Sequence, residues 1–127
     1  MKDYSSLRFL IPTYKPGGLD AKIFPHWKDA PIFTEVCFDE DGIREFDTFK
    51  LKSDTLIINL VKKRKIKGVI ALSLSIRAID LLNKSGVTVF TGKVKTVKDA
   101  IQKYLRKELY IVKLVKIHQS EAECAAI

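Results

Sequence analysis

The chain has 127 residues, of which 46% are apolar. That length is enough for one domain with a hydrophobic core but short for two, and the composition excludes a disordered chain. We therefore expect a single domain over 1–127, with a core of about 7–112 and a C-terminal extension over 113–127. Each apolar run falls well short of the roughly 20 residues that a membrane helix needs, so no membrane association is expected.

The formal net charge is +8, from 23 basic and 15 acidic residues. This excess favours an anionic partner, although a lysine-rich solvated surface explains it equally well. Cys37 and Cys124 are the only cysteines, which excludes a disulfide framework and a CxxC zinc or redox motif. The N-terminus has an acid at Asp3 and lacks the long apolar core of a secretory signal, which predicts a cytoplasmic location.

In chain order, the first half predicts strands. The apolar run 7–11 is bounded by a proline and is typical of a buried strand. The run 32–38 alternates between two faces, and an Asp-Gly turn leads from it into a returning strand over 43–51. Two phenylalanines three positions apart break the alternation of the returning strand, which predicts an edge strand with a bulge near Asp47-Thr48.

The second half alternates helices and strands. Three hydroxyl residues precede amphipathic stripes and predict helix N-caps, namely Ser53, Ser75 and Thr96. Buried strands are expected over 68–72 and 87–91, on either side of the second helix. Residues 109–117 are apolar with interspersed lysines and could add an edge strand.

One helix joins strands 68–72 and 87–91, so we expect them to be parallel with a right-handed crossover. Strand 7–11 lacks a polar face and should lie beside them. The predicted fold is α/β and three-layered, with a mixed five-stranded sheet in the order 3-2-1-4-5 and helices on both faces.

Sheets of this kind bind ligands beyond the carboxyl ends of their parallel strands, where the connections diverge. Three loops should converge there, at 13–20, 73–75 and 91–95, and two of them lead into helix N-termini, which attract anions. The candidate cofactor-binding residues are His26, Gly17, Gly18, Lys15, Ser73, Ser75 and Lys93, with His26 as the metal ligand.

Each candidate also has a structural interpretation. His26 can ligate a metal through a neutral imidazole or hydrogen-bond to its own loop. Gly17-Gly18 can present backbone N–H groups to an anion or only provide a turn with positive φ. Lys15 and Lys93 can supply charge or belong to an ordinary surface.

The remaining conspicuous residues are explained at least as well by ordinary structural or surface roles. Cys37 lies mid-strand, as expected for a buried inert thiol, and nothing positions Cys124. Trp27 fits a hydrophobic lid better than a stacking platform. The KKRKIK run over 62–67 fits a solvated helix end as well as a phosphate-binding patch.

Two stretches, GGLDAKIFPHWKDAPIFTEV at 17–36 and GVTVFTGKVKTVKDAIQKYLRKEL at 86–109, resemble the dinitrogenase iron–molybdenum cofactor biosynthesis family. The resemblance spans roughly 7–109. The first stretch matches the family's His-Phe-Gly-Arg-Ala-Pro segment at His26, Ala30 and Pro31, while Trp, Lys and Asp replace its Phe, Gly and Arg. The second stretch matches at Gly86, Val89, Gly92, Thr96, Val97, Ala100 and Ile101.

The resemblance implies an RNase H-like fold and a non-catalytic role related to nitrogen fixation, in which the protein binds or carries an iron–sulfur or iron–molybdenum cluster and meets cluster-assembly proteins. It also supports His26 as a ligand. Two segments depart from the family pattern. Leu51-Lys52-Ser53-Asp54 stands where members carry a Gly/His-rich stretch, and Leu72 to Ile76 lacks their glycine pair.

The residues keep one functional alternative open, a basic nucleic-acid-binding module, and a homodimer through the exposed edge strand is a further possibility. A two-metal nuclease needs clustered carboxylates at strand ends, and strands 7–12 and 68–72 have no acid. No catalytic triad order, P-loop or dinucleotide fingerprint is present, so enzyme activity is not expected.

Overall fold

The computed structural model describes residues 6–114. These residues form one mixed sheet with strand order β3-β2-β1-β4-β5-β6, in which β1, β4 and β5 run parallel and the other neighbours pair antiparallel. The strands are β1 (Leu7–Thr13), β2 (Ile32–Asp39), β3 (Gly42–Phe49), β4 (Gly68–Ile70), β5 (Thr88–Thr91) and β6 (Tyr110–Val112). The helices are α1 (Asp54–Arg64), α2 (Ile76–Lys84) and α3 (Val97–Leu105).

The predicted order of the first five strands is confirmed, but the prediction of five strands is wrong. The sixth strand, β6, pairs antiparallel with β5 at the edge of the sheet. The extra edge strand that the sequence suggested at 109–117 is therefore present over Tyr110–Val112, although the predicted sheet counted only five strands. Of the predicted extra strand at 109–117, residues 115–117 lie outside the described part of the chain.

Two local predictions about the first strands need correction. The proline after the run 7–11 does not end the strand, since β1 continues to Thr13. Proline has no N–H to donate, but the pairing of β1 with β4 already stops at Leu10, so Pro12 removes no hydrogen bond from that pairing. The bulge lies elsewhere than predicted, because Cys37 is opposite Glu45 whereas Phe38 is opposite Ile43, which leaves Arg44 as the extra residue.

The three helices begin at the predicted caps. The hydroxyl oxygens of Ser53, Ser75 and Thr96 each accept a hydrogen bond from the backbone N–H three residues on, at 3.1–3.2 Å. Helix α1 ends at Arg64 and is capped by Lys65, whose backbone is left-handed (φ 56°). Within residues 6–114, no helix combines the length and apolarity needed to cross a membrane.

The sheet separates two hydrophobic cores. Helices α1 and α2 cover one face, where Ile57, Val61, Ala78 and Leu82 pack on Leu10, Phe33 and Val69. Helix α3 covers the other face, where Val97, Ala100 and Ile101 pack on Phe9, Val36 and Ile70. The predicted arrangement with helices on both faces is confirmed. Successive side chains of a strand point to opposite faces, and both faces of the central strands are apolar, so each face needs a covering helix.

Candidate functional site

A pocket of about 620 Å³ opens on the α1–α2 face, just beyond the carboxyl end of β4. Three segments meet there: the turn at 26–29, the approach to α1 at 51–54 and the β4–α2 connection at 73–75. Ile57, Ala78 and Arg77 complete the lining. The location agrees with the rule that ligands bind beyond the carboxyl ends of parallel strands.

The turn that carries His26 is anchored by its neighbour. Trp27 is 4% exposed and packs edge-on against Phe33, with ring centroids 4.9 Å apart. Its backbone N–H donates to the carbonyl oxygen of Ser73 at 3.1 Å, which joins the turn to the exit of β4. Trp27 is therefore a fixed wall of the pocket rather than a movable lid.

His26 itself is exposed and lines the pocket. It precedes the short 3-10 turn Trp27–Asp29, and its side chain makes no capping hydrogen bond there. The alternative interpretation, a histidine held by hydrogen bonds to its own loop, is therefore not supported by this turn. An exposed imidazole at the edge of a cavity can donate, accept or ligate.

Two helix N-termini open into the same pocket. The caps Ser53 and Ser75 both line it, at the starts of an eleven-residue and a nine-residue helix. Each hydroxyl uses a lone pair to accept from the helix backbone, which leaves its O–H free to donate to a ligand. The positive ends of both helix dipoles therefore favour negative charge in this pocket.

Charged side chains add only a small excess of positive charge. The lining contains Lys28, Lys52 and Arg77 against Asp29 and Asp54, which leaves one more cation than carboxylates. Among the described residues, no cysteine lines the pocket. Within residues 6–114, no group of three or more His, Cys, Asp or Glu side chains is arranged to hold a metal ion. The residues present cannot form a closed protein-ligated metal centre.

The predicted site residues divide between two places. His26, Ser73 and Ser75 line the pocket together, whereas Gly17, Gly18, Lys15 and Lys93 do not. Instead, the glycine pair lies on the α3 face. A methyl group at Gly17 would touch Ile32 and Thr34, which share the face of β2 that carries Val36 and Phe38.

A buried chain of hydrogen bonds explains the glycine pair. The Thr13 hydroxyl lies 3.1 Å from the carbonyl oxygen of Ile32 and 3.0 Å from the Thr34 hydroxyl, which in turn accepts from the Gly18 N–H at 3.1 Å. Both glycines have positive φ, 82° and 101°. The Gly18 N–H is therefore already hydrogen-bonded inside the protein and is not presented to an anion. The glycine pair has the structural role of a turn with positive φ.

The loop at 91–95 meets the first loop rather than the pocket. The N–H of Ile23 donates to the carbonyl oxygen of Lys95, and Lys22 pairs with Thr96. The N–H groups of Val97 and Lys98, at the start of α3, donate to the carbonyls of Ala21 and Leu19. The three loops therefore do not converge: one contributes to the pocket and the other two pack together on the opposite face.

Sequence reasoning missed the segment from Lys52 to Asp54, together with Arg77, as pocket residues. A signal for them was present. A helix that leads into a parallel strand starts at the carboxyl edge of the sheet, so the cap at Ser53 had to lie near the cap at Ser75. The two segments that depart from the family pattern, 51–54 and 72–76, thus supply most of two walls of this pocket.

Cys37 is buried, and Cys124 lies outside the described residues. Burial raises the pKa of the Cys37 thiol, with nearby Arg8 opposing that effect. The thiol therefore stays protonated at a pH where a free cysteine begins to ionise, and its contribution to stability falls as the pH rises above the ordinary cysteine pKa.

We expect Cys37 in a Cys124→Ser variant to react with Ellman's reagent at pH 8 about tenfold or more slowly than after unfolding in urea, because only the thiolate is nucleophilic. The absorbance of the released thiolate measures both rates. Equal rates in the folded and unfolded protein would contradict this expectation.

Comparisons with known proteins support one family. The dinitrogenase iron-molybdenum cofactor family matches residues 8–107. No curated protein matches the sequence of this chain. A structure of a protein from Methanocaldococcus jannaschii assigned as a dinitrogenase has 15% identity and a TM-score of 0.69, and covers 84% of this chain and 95% of its own.

Two further solved structures share this fold. The apo orange protein from Desulfovibrio gigas has 18% identity and a TM-score of 0.69, over 83% of this chain and 92% of its own. A Thermotoga protein assigned as a NifB protein has 16% identity and a TM-score of 0.69, over 87% and 97%. At these identities the structures establish a common fold only. Since the family match covers most of the sequence, this chain belongs to the dinitrogenase iron-molybdenum cofactor family.

Proposed function

We propose that this protein is a non-catalytic carrier that binds an anionic iron–sulfur or iron–molybdenum type cluster in the pocket beside His26. The observation that supports the proposal most is the meeting of one exposed imidazole with the N-termini of α1 and α2 at a single open cavity. Membership of the family points to the same class of ligand.

The volume and chemistry of the pocket suit a preassembled cluster. A cavity of about 620 Å³ is in the size range of small-molecule sites, far larger than a single ion requires. It offers one imidazole nitrogen, three serine hydroxyls and a small positive excess, but no thiolate among residues 6–114. A cluster held there has to bring its own sulfide ligands, and the protein supplies one bond and electrostatic stabilisation.

A site with so few protein ligands suits a protein that passes its cluster on better than one that keeps the cluster permanently. A structural centre with four protein ligands contributes to folding and is hard to remove, whereas a single imidazole bond can be exchanged. The proposed role is therefore to hold the cluster between proteins that assemble it and proteins that receive it.

We expect a His26→Gln variant to lose most of the cluster that the wild-type protein takes up. The purified protein is reconstituted anaerobically with iron(II), sulfide and molybdate and then desalted. Metal content and the visible absorption spectrum are the readouts. Glutamine keeps the size and polarity of the side chain but removes the imidazole ligand, so a loss reports ligation rather than misfolding.

A Lys93→Ala variant is the matched control. Lys93 is exposed and lies outside the pocket, so uptake should match the wild type if the pocket is the site. A wild-type protein that stays colourless and metal-free contradicts the proposed function. Equal loading of the wild-type and His26→Gln proteins contradicts the role of His26.

The nucleic-acid alternative gains no comparable support. The exposed lysines of the 62–67 run lie at the C-terminal end of α1 and just beyond it, whereas the pocket lies at the N-terminal end of that helix. Retention on heparin that weakens steeply with salt would favour that alternative.

A further inference from the structure

Two opposite charges from different helices meet at the pocket. Asp54 lies in the first turn of α1 and Arg77 in the first turn of α2, and both line the cavity. The Arg77 Nε lies 3.9 Å from the Asp54 Oδ2, and the two side chains are 83% and 48% exposed. An ion pair this long and this exposed contributes little stability, so it opens readily.

Helix stability explains one partner but not the other. A carboxylate in the first turn is favoured by the helix dipole, so Asp54 stabilises α1 wherever its partner lies. A cation in the first turn opposes the dipole, and the first turn of α2 contains no acid. The position of Arg77 is unfavourable for α2 by itself, but it suits an anion bound at the N-terminus of that helix.

We propose that the Asp54–Arg77 pair is a charge switch that sets how tightly the pocket holds its anion. This inference rests on the proposed function. When an anion enters, Arg77 leaves Asp54 and binds the anion. Asp54 competes for the same guanidinium, which lowers affinity and favours release to the next protein.

The test measures affinity for one defined anion. Tetrathiomolybdate, a compact dianion of molybdenum and sulfide, is titrated anaerobically into the protein by isothermal calorimetry. We expect Asp54→Asn to lower the dissociation constant about two- to fivefold, since the competing pair is exposed and weak. We expect Arg77→Gln to raise the dissociation constant.

The matched control lies on α2. Asp80 pairs with Lys84 at 3.1 Å and lines no part of the pocket. Asp80→Asn changes the net charge by the same amount as Asp54→Asn, so it should leave affinity unchanged. An equal gain in both variants would show a general charge effect and overturn the proposal.

A double-mutant cycle separates competition from direct repulsion. If Asp54 acts through Arg77, the double variant Asp54→Asn/Arg77→Gln should bind the anion with the same affinity as Arg77→Gln alone. If Asp54→Asn gives the same gain with and without Arg77, the carboxylate repels the anion directly and the switch is wrong.

Failure of this inference is distinguishable from failure of the proposed function. If wild-type protein binds tetrathiomolybdate, His26→Gln weakens binding and Asp54→Asn has no effect, the switch fails while the carrier function stands. If wild-type protein does not bind, or His26→Gln binds as well as wild type, the proposed site fails and the switch fails with it.

Discussion

Replacing Arg64 by methionine is expected to lower the free energy of unfolding by about 3 kcal/mol, because it leaves a buried carboxylate without its main partner. Glu35 lies on β2 with 1% exposure, and its Oε2 accepts a hydrogen bond from the Arg64 Nε at 2.7 Å. This bond raises the pKa of the Arg64 guanidinium. Urea denaturation measures the change.

Two features place the expected loss at the lower end of the range for a broken buried pair. The Arg64 side chain is 31% exposed, so part of its charge is already solvated. Arg8 stays 3.6 Å from the other oxygen of Glu35, although it is also bound to Glu45 at 3.2 Å. Some attraction for the carboxylate therefore remains in the variant.

Arg44→Met is the matched control. Arg44 pairs with Asp39 at the same distance, 2.7 Å, but its side chain is 57% exposed. That substitution should cost far less than Arg64→Met, since exposed ion pairs contribute little. Replacing both Glu35 and Arg64 by apolar residues should recover part of the loss, because the buried carboxylate is then gone and Arg8 keeps its contact with Glu45. A double variant as unstable as Arg64→Met would contradict this account.

Gly68→Ala is expected to cost about 2–3 kcal/mol through overpacking. Gly68 begins the central strand β4 and is buried. A methyl group there would lie 2.5 Å from two atoms of the Phe9 ring. That ring is held on several sides, by edge contacts with Phe38 at 5.0 Å and Tyr104 at 4.7 Å and by stacking on Phe90 at 5.6 Å between centroids.

Gly92→Ala tests whether the cost comes from the rigid ring. A methyl group at Gly92 would lie 2.9 Å from the Leu109 Cδ2, which is the end of a flexible side chain. We expect a loss below about 1 kcal/mol there, because that chain can turn away. Thermal unfolding of Phe9→Leu with Gly68→Ala should show partial rescue relative to the sum of the two single changes. Full additivity would rule out the clash.

Much of the fold follows from local patterns. The caps at Ser53, Ser75 and Thr96 come from hydroxyl residues ahead of apolar stripes, and the order of the first five strands comes from apolar runs combined with the rule for parallel crossovers. A bulge in β3 and an edge strand near 109–117 were also expected, but the position of the bulge and the bounds of the sixth strand were not, because each depends on pairing between strands. Arg44 is extra only relative to β2, and β6 is a strand only because β5 lies beside it.

The candidate site shows the same division. The sequence by itself determined that ligand loops should lie beyond the parallel strands and that His26 and the cap at Ser75 are candidates there. Only the tertiary structure decided which loops share a face. The N–H of Trp27 binds Ser73 on one side of the sheet, while the Gly18 N–H binds Thr34 on the other. Two segments that are close in sequence therefore lie on opposite faces of the sheet. Side chains of a strand point to both faces, and the long-range hydrogen bonds of each loop decide which face it covers.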